Sequence, residues 1–412
     1  MRKRFELVHV EHLISSAIEG NNGNMKNVAI LNGNLKYTEL LPINKKDGSS
    51  ECLLGSNECV QEIRRIWERI NSDSALIFSG QIELQNIVSF GPCGLLLDFD
   101  HDVALVGGIV NWGEEYARWY INRTSTPEIN LSWSSDRNSF EIDLPEEIPI
   151  EERPGILMSS PGQDIFGHWL LDYTPRLMLA SLMHGPWINN LFFNRIPGWV
   201  QPILEAFGIT ESKCLQPPQS PLVRYKNIAI PSGTKNGFRV SQPISQYAWL
   251  RLKYMMLSGP ISELEQKKLQ ASFAERIFVS RKAWGSSRVI ENALELEDIC
   301  RRRGYTVVRP EEFSLPAQAR LFNQARIVVG EDGSGLHNII FCEPGCHLGV
   351  ASVPDRFNLW HMSFAKALGH FVSYTSAQIN PDGKKNINAN EFTAMLDQLE
   401  SCLIQSTSLH RG

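Results

Sequence analysis

The hydrophobic and polar positions change rhythm along the chain. Residues 20–60 hold few apolar residues at either the helical or the strand period and are rich in Asn, Gly, Ser and Lys (GNNGNMKN, NKKDGSS). That pattern predicts loops around one or two short strands. From about residue 74 to 145, short apolar runs follow one another, ALIFSG, NIVSF, GLLLDF, VALVGGIV and FEIDL, with Gly, Asp, Asn and Pro between them. They predict a β-rich entry segment, bounded here as 1–150.

After LPEEIPIEERPG the rhythm becomes alternating strand and helix. GILMSS, NLFF and NIAIPSG read as strands, while FGHWLLDYTPRLMLASLMH, WVQPILEAFG and QYAWLRLKYMML read as helices. A polar stretch, SGPISELEQKKLQASFAE, then precedes a second alternation. There RIFVSR, YTVVRP, RIVVG and HLGVASV predict strands, and ALELEDICRRRG, LPAQARLFNQA and SGLHNIIFC predict helices. The expectation is an α/β chain of two units, 1–255 and 256–412, with an α/β part at 151–255 in the first. Parallel sheets in such units are covered by helices and hold ligands at the carboxyl ends of their strands.

Composition narrows the classes. The 412 residues carry 40 Lys+Arg against 45 Asp+Glu, a net charge of −5, which offers no basic footprint for nucleic acid. The 8 cysteines (Cys52, Cys59, Cys93, Cys214, Cys300, Cys342, Cys346 and Cys402) form neither a CxxC pair nor a framework. Cys342 and Cys346 have no second ligand pair at zinc spacing. The opening MRKRFELVHVEHLISS is interrupted by Glu6, Glu11 and His12, too polar for a signal core. No apolar run approaches the roughly 18–20 residues of a membrane span, so the expected location is the cytoplasm.

Four segments could carry chemistry. In VVGEDGSGLHN, residues 328–338, a strand passes through Gly330, Gly333 and Gly335 into a helix. Such a turn presents unpaired N–H groups to an anion such as a diphosphate, or merely makes a tight βα connection. Its spacing matches neither GxGxxG nor GxxxxGK[ST]. In RIFVSRKAWGSSR, Ser280 and Arg281 end a strand and Arg288 follows. These guanidiniums can hold phosphate oxygens, or be solvated and paired with Glu291 or Glu295, whereas Arg276 at the strand start reads as structural.

In GHWLLDYTPRL, His168 and Asp172 are four apart and share a helix face, with Pro175 marking a kink or a restart. The pair suits a general base equally with a core hydrogen bond. DFDHD, residues 98–102, could be a carboxylate motif for a divalent ion, but its apolar flanks predict a hairpin with Asp and His in the turn. Trp112, Trp119, Tyr120 and Trp133 could stack on sugars, with core packing the commoner use.

Together these segments resemble glycosyltransferase family 61 over about residues 155–380. The matching residues are Phe166, His168, Trp169, Leu170, Asp172, Pro175, Arg176 and Leu177, then Ser280, Arg281, Arg288, Asn292 and Glu295, then Pro310, Glu311, Leu321 and Phe322. The family's Gly-x-His-Gly-Ala-Gly-Leu-x-Asn reads here Gly330 to Asn338, with Asp332 where the family has His.

The resemblance implies a GT-B-like arrangement of two facing Rossmann-like domains. The C-terminal domain, 256–412, would bind the nucleotide sugar, and its last helix is a candidate to pack back on the N-terminal domain. The implied reaction is an inverting transfer from a UDP-sugar to a hydroxyl of a glycan or glycoconjugate, with no cofactor and no essential metal. Asp172 and His168 would be catalytic. Ser280, Arg281, Arg288, Glu311, Gly333, Ser334, Gly335 and Asn338 would hold the donor. Asp332 motivates an alternative, a catalytically silent relative that binds nucleotide or glycan as an assembly or regulatory subunit. The chain would be compatible with peripheral contact at a membrane presenting a lipid-linked acceptor.

Overall fold

The structure is a computed structural model that describes residues 2–10, 13–14, 27–30, 35–44, 51–72, 77–90, 95–106, 131–135, 138–159, 162–185, 188–232, 235–236, 239–240, 242–271, 275–281, 290–354 and 357–409. The chain divides into two compact units. One comprises Met1–Lys45, Ala75–Gly237 and Pro243–Ala248; the other comprises Lys46–Ser74, Phe238–Gln242 and Trp249–Gly412. No helix among the described residues is long and apolar enough to cross a membrane.

In the first unit the described residues form one sheet of 13 strands. Leu222–Pro231 joins its two halves. It pairs antiparallel with Ile77–Phe90, from Leu222 opposite Phe90 to Pro231 opposite Gln81, and parallel with Gly155–Leu157. Leu191–Phe192 and Cys214–Leu215 extend the parallel half. The β-rich entry segment and the α/β part that follows it therefore share a sheet.

The runs LLL and VALV are continuous because both faces of the sheet are covered. Leu96 and Leu105 pack with Ile82, Ile87, Phe192 and Ile228, while Leu95, Leu97, Ala104 and Val106 pack on the other side with Phe5, Phe90 and Phe140. Successive side chains on a strand point to opposite faces, so two apolar faces remove the polar alternation.

DFDHD is the turn between Leu95–Asp98 and Val103–Val106, as its flanks predict. Asp98 Oδ1 accepts the N–H groups of Asp100 (2.9 Å) and His101 (3.2 Å), and Oδ2 lies 2.9 Å from His101 Nδ1. Trp133 packs edge-on against Phe140 with ring centroids 5.6 Å apart, a core use. Trp112, Trp119 and Tyr120 lie outside the described residues.

The second unit is built on a parallel sheet of five strands in the order Thr306–Val308, Arg276–Val279, Ile327–Glu331, His347–Ser352, Phe371–Ser376. In sequence terms that order is 2-1-3-4-5, a doubly wound arrangement. Its direction of winding reverses between Arg276–Val279 and Ile327–Glu331, and doubly wound sheets hold their ligands beyond the carboxyl ends of the strands at such a point. The last helix, Ala389–Leu409, places Phe392, Met395, Leu396 and Leu399 in this unit's own core.

Two segments differ from the sequence expectation. Residues 58–72, which the loop-rich reading of 20–60 runs into, form the helix Glu58–Ser72 of the second unit. Asn57 Oδ1 caps it at Val60 N–H (2.8 Å), and Val60, Ile63 and Trp67 are buried. The expected helix SGLHNIIFC is a 3₁₀ helix, Ser334–Phe341. Leu336 N–H bonds to the Gly333 carbonyl (3.1 Å), and Asn338 Nδ2 donates to the Gly335 carbonyl (3.1 Å), an acceptor that an α-helix would assign to residue 339.

Candidate functional site

The first cluster belongs to the first unit. Phe166–His168 begins a helix, Trp169–Tyr173 makes a π turn, and Thr174–His184 resumes the α-helix. Pro175 causes the break. It has no N–H to give the preceding turn, so the ladder widens. Thr174 then donates both its N–H and its Oγ1 (2.7 Å) to the Trp169 carbonyl. The wider turn contains Asp172, whose Oδ2 lies 2.7 Å from Nδ1 of His168.

The pair sits at a boundary between core and solvent. The Asp172 side chain is 3% exposed and that of His168 24%. Gly162 makes room for the imidazole: its φ is +79°, and a methyl there would stand 2.4 Å from His168 Cδ2. Only glycine meets both conditions at low cost. Trp169, stacked on Tyr173 at 4.3 Å, fixes the next turn and donates its indole N–H to the Gln163 carbonyl (2.7 Å).

Arg176 anchors this helix to the sheet. Its guanidinium is buried and donates to the carbonyls of Leu157 (3.0 Å), Met158 (3.1 Å) and Pro231 (3.2 Å), at the ends of two adjacent parallel strands. Burial pushes the guanidinium below its ordinary pKa, opposed by Tyr173 and Asp172. Arg176 is a scaffold residue that sets where the π turn lies.

The second cluster lies at the reversal point of the five-stranded sheet. Arg281 follows Arg276–Val279; its backbone N–H reaches Glu331 Oε1 (3.3 Å), and its Nη1 donates to the Asp332 carbonyl. Gly333 keeps the backbone flush against that side chain, since a methyl there would stand 2.9 Å from Arg281 Cζ. Gly330 and Gly335 serve packing: added methyls would stand 2.6 Å from the Val279 carbonyl oxygen and 3.0 Å from Val279 Cγ1. A methyl on Gly335 would also lie 3.7 Å from Pro310 Cγ, which brings the turn Pro310–Glu312 to the same strand ends.

The structure therefore gathers Arg281, Gly333, Ser334 and Gly335, with the exposed Glu311 on the neighbouring turn. Arg288 lies outside the described residues. Ser280 turns elsewhere: its buried hydroxyl donates to Glu297 Oε1 (2.6 Å), which ties the strand to the helix Ala293–Arg302. Asn338 is fully buried and braces the 3₁₀ turn.

Asp332 points inward. Its Oδ1 accepts Asn358 Nδ2 (3.1 Å) and lies 3.0 Å from His361 Nε2, while its N–H donates to the Ala351 carbonyl (2.8 Å). Sequence reasoning missed Gly162, His361, Asn358 and the buried Glu331. Burial pushes the Glu331 carboxyl up from its ordinary pKa, against the pull of Arg281. Among the described residues no group of three or more His, Cys, Asp or Glu is arranged to hold a metal ion.

The family model described as Glycosyltransferase 61 matches residues 166–349. That span starts two residues before His168 and contains Asp172, Arg281 and the Gly330–Asn338 segment. No curated protein matches the chain.

Proposed function

We propose that the chain, whose residues 166–349 match the Glycosyltransferase 61 model, is a glycosyltransferase of that family and transfers a sugar with inversion from a UDP-sugar to a hydroxyl of a glycan or glycoconjugate. The observation that carries this reading is the Asp172 carboxylate held by His168 on the π turn, inside the matched span. The Asp172 carboxylate takes the proton of the acceptor hydroxyl, with His168 orienting it. The acceptor oxygen bonds to the anomeric carbon as the bond from that carbon to the diphosphate oxygen breaks. The diphosphate leaves with the electron pair.

Arg281, Arg288 and the N–H groups from Gly333 to Gly335 are assigned to the departing diphosphate, as fixed donors aimed at developing negative charge. Support comes from the position of Arg281 and Gly333 at the reversal point of a doubly wound sheet. On this reading the two units act as donor and acceptor domains of a GT-B enzyme, without an essential metal and in the cytoplasm. A silent relative is the competing reading. Its motive is an acid near a diphosphate, and the inward bonds of the Asp332 carboxylate to Asn358 and His361 weaken that motive.

The test is release of UDP from a panel of UDP-sugars, with and without a confirmed acceptor and with EDTA present. Turnover that survives EDTA and disappears in Asp172→Asn supports the reading. UDP binding without turnover on any donor favours the silent relative, and activity that EDTA abolishes and manganese restores rejects the metal-free site.

A further inference from the structure

Asp332 and His361 are 3% and 0% exposed, so neither side chain reaches a ligand. Their bonds nonetheless lead to a group that does. Asn358 lies just before the helix Trp360–Leu368, and its Oδ1 accepts Trp360 N–H (3.2 Å). From the start of this helix and the residue before its N-cap, His361 Nε2 (3.0 Å) and Asn358 Nδ2 (3.1 Å) converge on a single carboxylate oxygen of Asp332. The backbone of the same residue is held at its N–H by Ala351, and its carbonyl accepts Nη1 of Arg281. Gly333 removes the side chain that would push the guanidinium off that carbonyl.

A guanidinium presents its N–H donors in a planar fork, so fixing one donor fixes the direction of the rest. A donor array oriented before binding loses less freedom when an anion arrives. We propose that His361 and Asn358, acting through Asp332, are positioning residues that aim the Arg281 guanidinium at the diphosphate of the donor. This rests on the reading above of Arg281 as a donor-site residue. His361 faces Asp332 from one side and lies edge-on to His337, ring centroids 5.3 Å apart, so its own orientation is fixed by packing.

The test titrates the full chain by calorimetry, first with inorganic pyrophosphate and then with UDP. Two variants separate the hydrogen bond from the packing. His361→Gln keeps an N–H donor near the position of Nε2, and His361→Met fills the volume without one. The expected result is pyrophosphate affinity about tenfold weaker in His361→Met and within about twofold of normal in His361→Gln. In an Arg281→Ala background, His361→Met should cause no further loss, because its effect travels through that guanidinium.

Equal behaviour of the Gln and Met variants, or the same loss without Arg281, overturns the inference. Where His361→Met does not fold, Asn358→Ser replaces it, since a serine hydroxyl can still accept Trp360 N–H while the shorter side chain loses the donor to Asp332. Wild-type protein that binds pyrophosphate but not UDP leaves the positioning role standing and rejects the nucleotide assignment. Protein that binds neither rejects both.

Discussion

Nδ1 of His168 lies 2.7 Å from Oδ2 of Asp172, across a π turn that exists because Pro175 follows it. The carboxylate is buried and the imidazole is partly open to solvent. The imidazole therefore forms the wetter side of the pair.

That arrangement predicts unequal effects. Asp172→Asn should lower turnover by about 10²–10⁴-fold, the usual contribution of a positioned base. His168→Gln should lower it less, because it disturbs orientation and leaves the carboxylate. Steady-state turnover on a confirmed donor and acceptor checks both, and near-normal rates in Asp172→Asn would remove the base assignment.

Gly162 offers a gentler perturbation. Gly162→Ala adds a methyl 2.4 Å from His168 Cδ2 at a backbone φ of +79°, so the imidazole must move. Displacement of a catalytic group by about 1 Å can cost on the order of 10²-fold. We expect a loss of that order in turnover with an unchanged far-ultraviolet circular dichroism spectrum; full activity would show that the imidazole position is not critical.

Arg176→Met should act on stability first. It strips the donor from the carbonyls of Leu157, Met158 and Pro231 in a buried place, where each unsatisfied acceptor costs about 1–3 kcal/mol. Urea unfolding should show a loss of several kcal/mol. A loss below about 1 kcal/mol would mean that water or a rearranged backbone replaces the guanidinium.

Glu265 predicts a pH effect. Burial works to raise its carboxyl, but hydrogen bonds from Ser314 and Ser262 outweigh it and lower the pKa from 4.5 to about 2. The folded state thus favours the ionised form, so the contribution is complete above the unfolded pKa and is lost as pH falls from about 4.5 toward 2. The stability gap between wild type and Glu265→Gln should be present at pH 7 and narrow through that window. A gap that stays constant from pH 7 to pH 2.5 would contradict the assignment; urea midpoints at several pH values measure it.

Much of the second unit is legible in the chain. Its alternating runs predict the strands and most of the helices, because a parallel strand covered on both faces is apolar throughout and its covering helices show a 3.6 period. Arg281 and the glycines at 330, 333 and 335 are found because strand ends and glycines are local signals. Other local signals existed and went unread. Asn57 before Val60, Ile63 and Trp67 is a cap followed by helical spacing, and Ser262 with Glu265 is a capping box that starts the helix Glu263–Ala271.

The sequence by itself determined the resemblance to glycosyltransferase family 61, the α/β class, the turn at DFDHD and the break at Pro175, since each rests on residues close together in the chain. Tertiary structure decided the rest. It put Lys46–Ser74 in the second unit, turned the Ser280 hydroxyl toward Glu297, buried Arg176 under three carbonyls and paired Asp332 with His361, 29 residues away. The physical reason is common to these cases. A buried polar group must find a partner, and which one it finds depends on what the folded chain brings within hydrogen-bond reach, which no local spacing encodes.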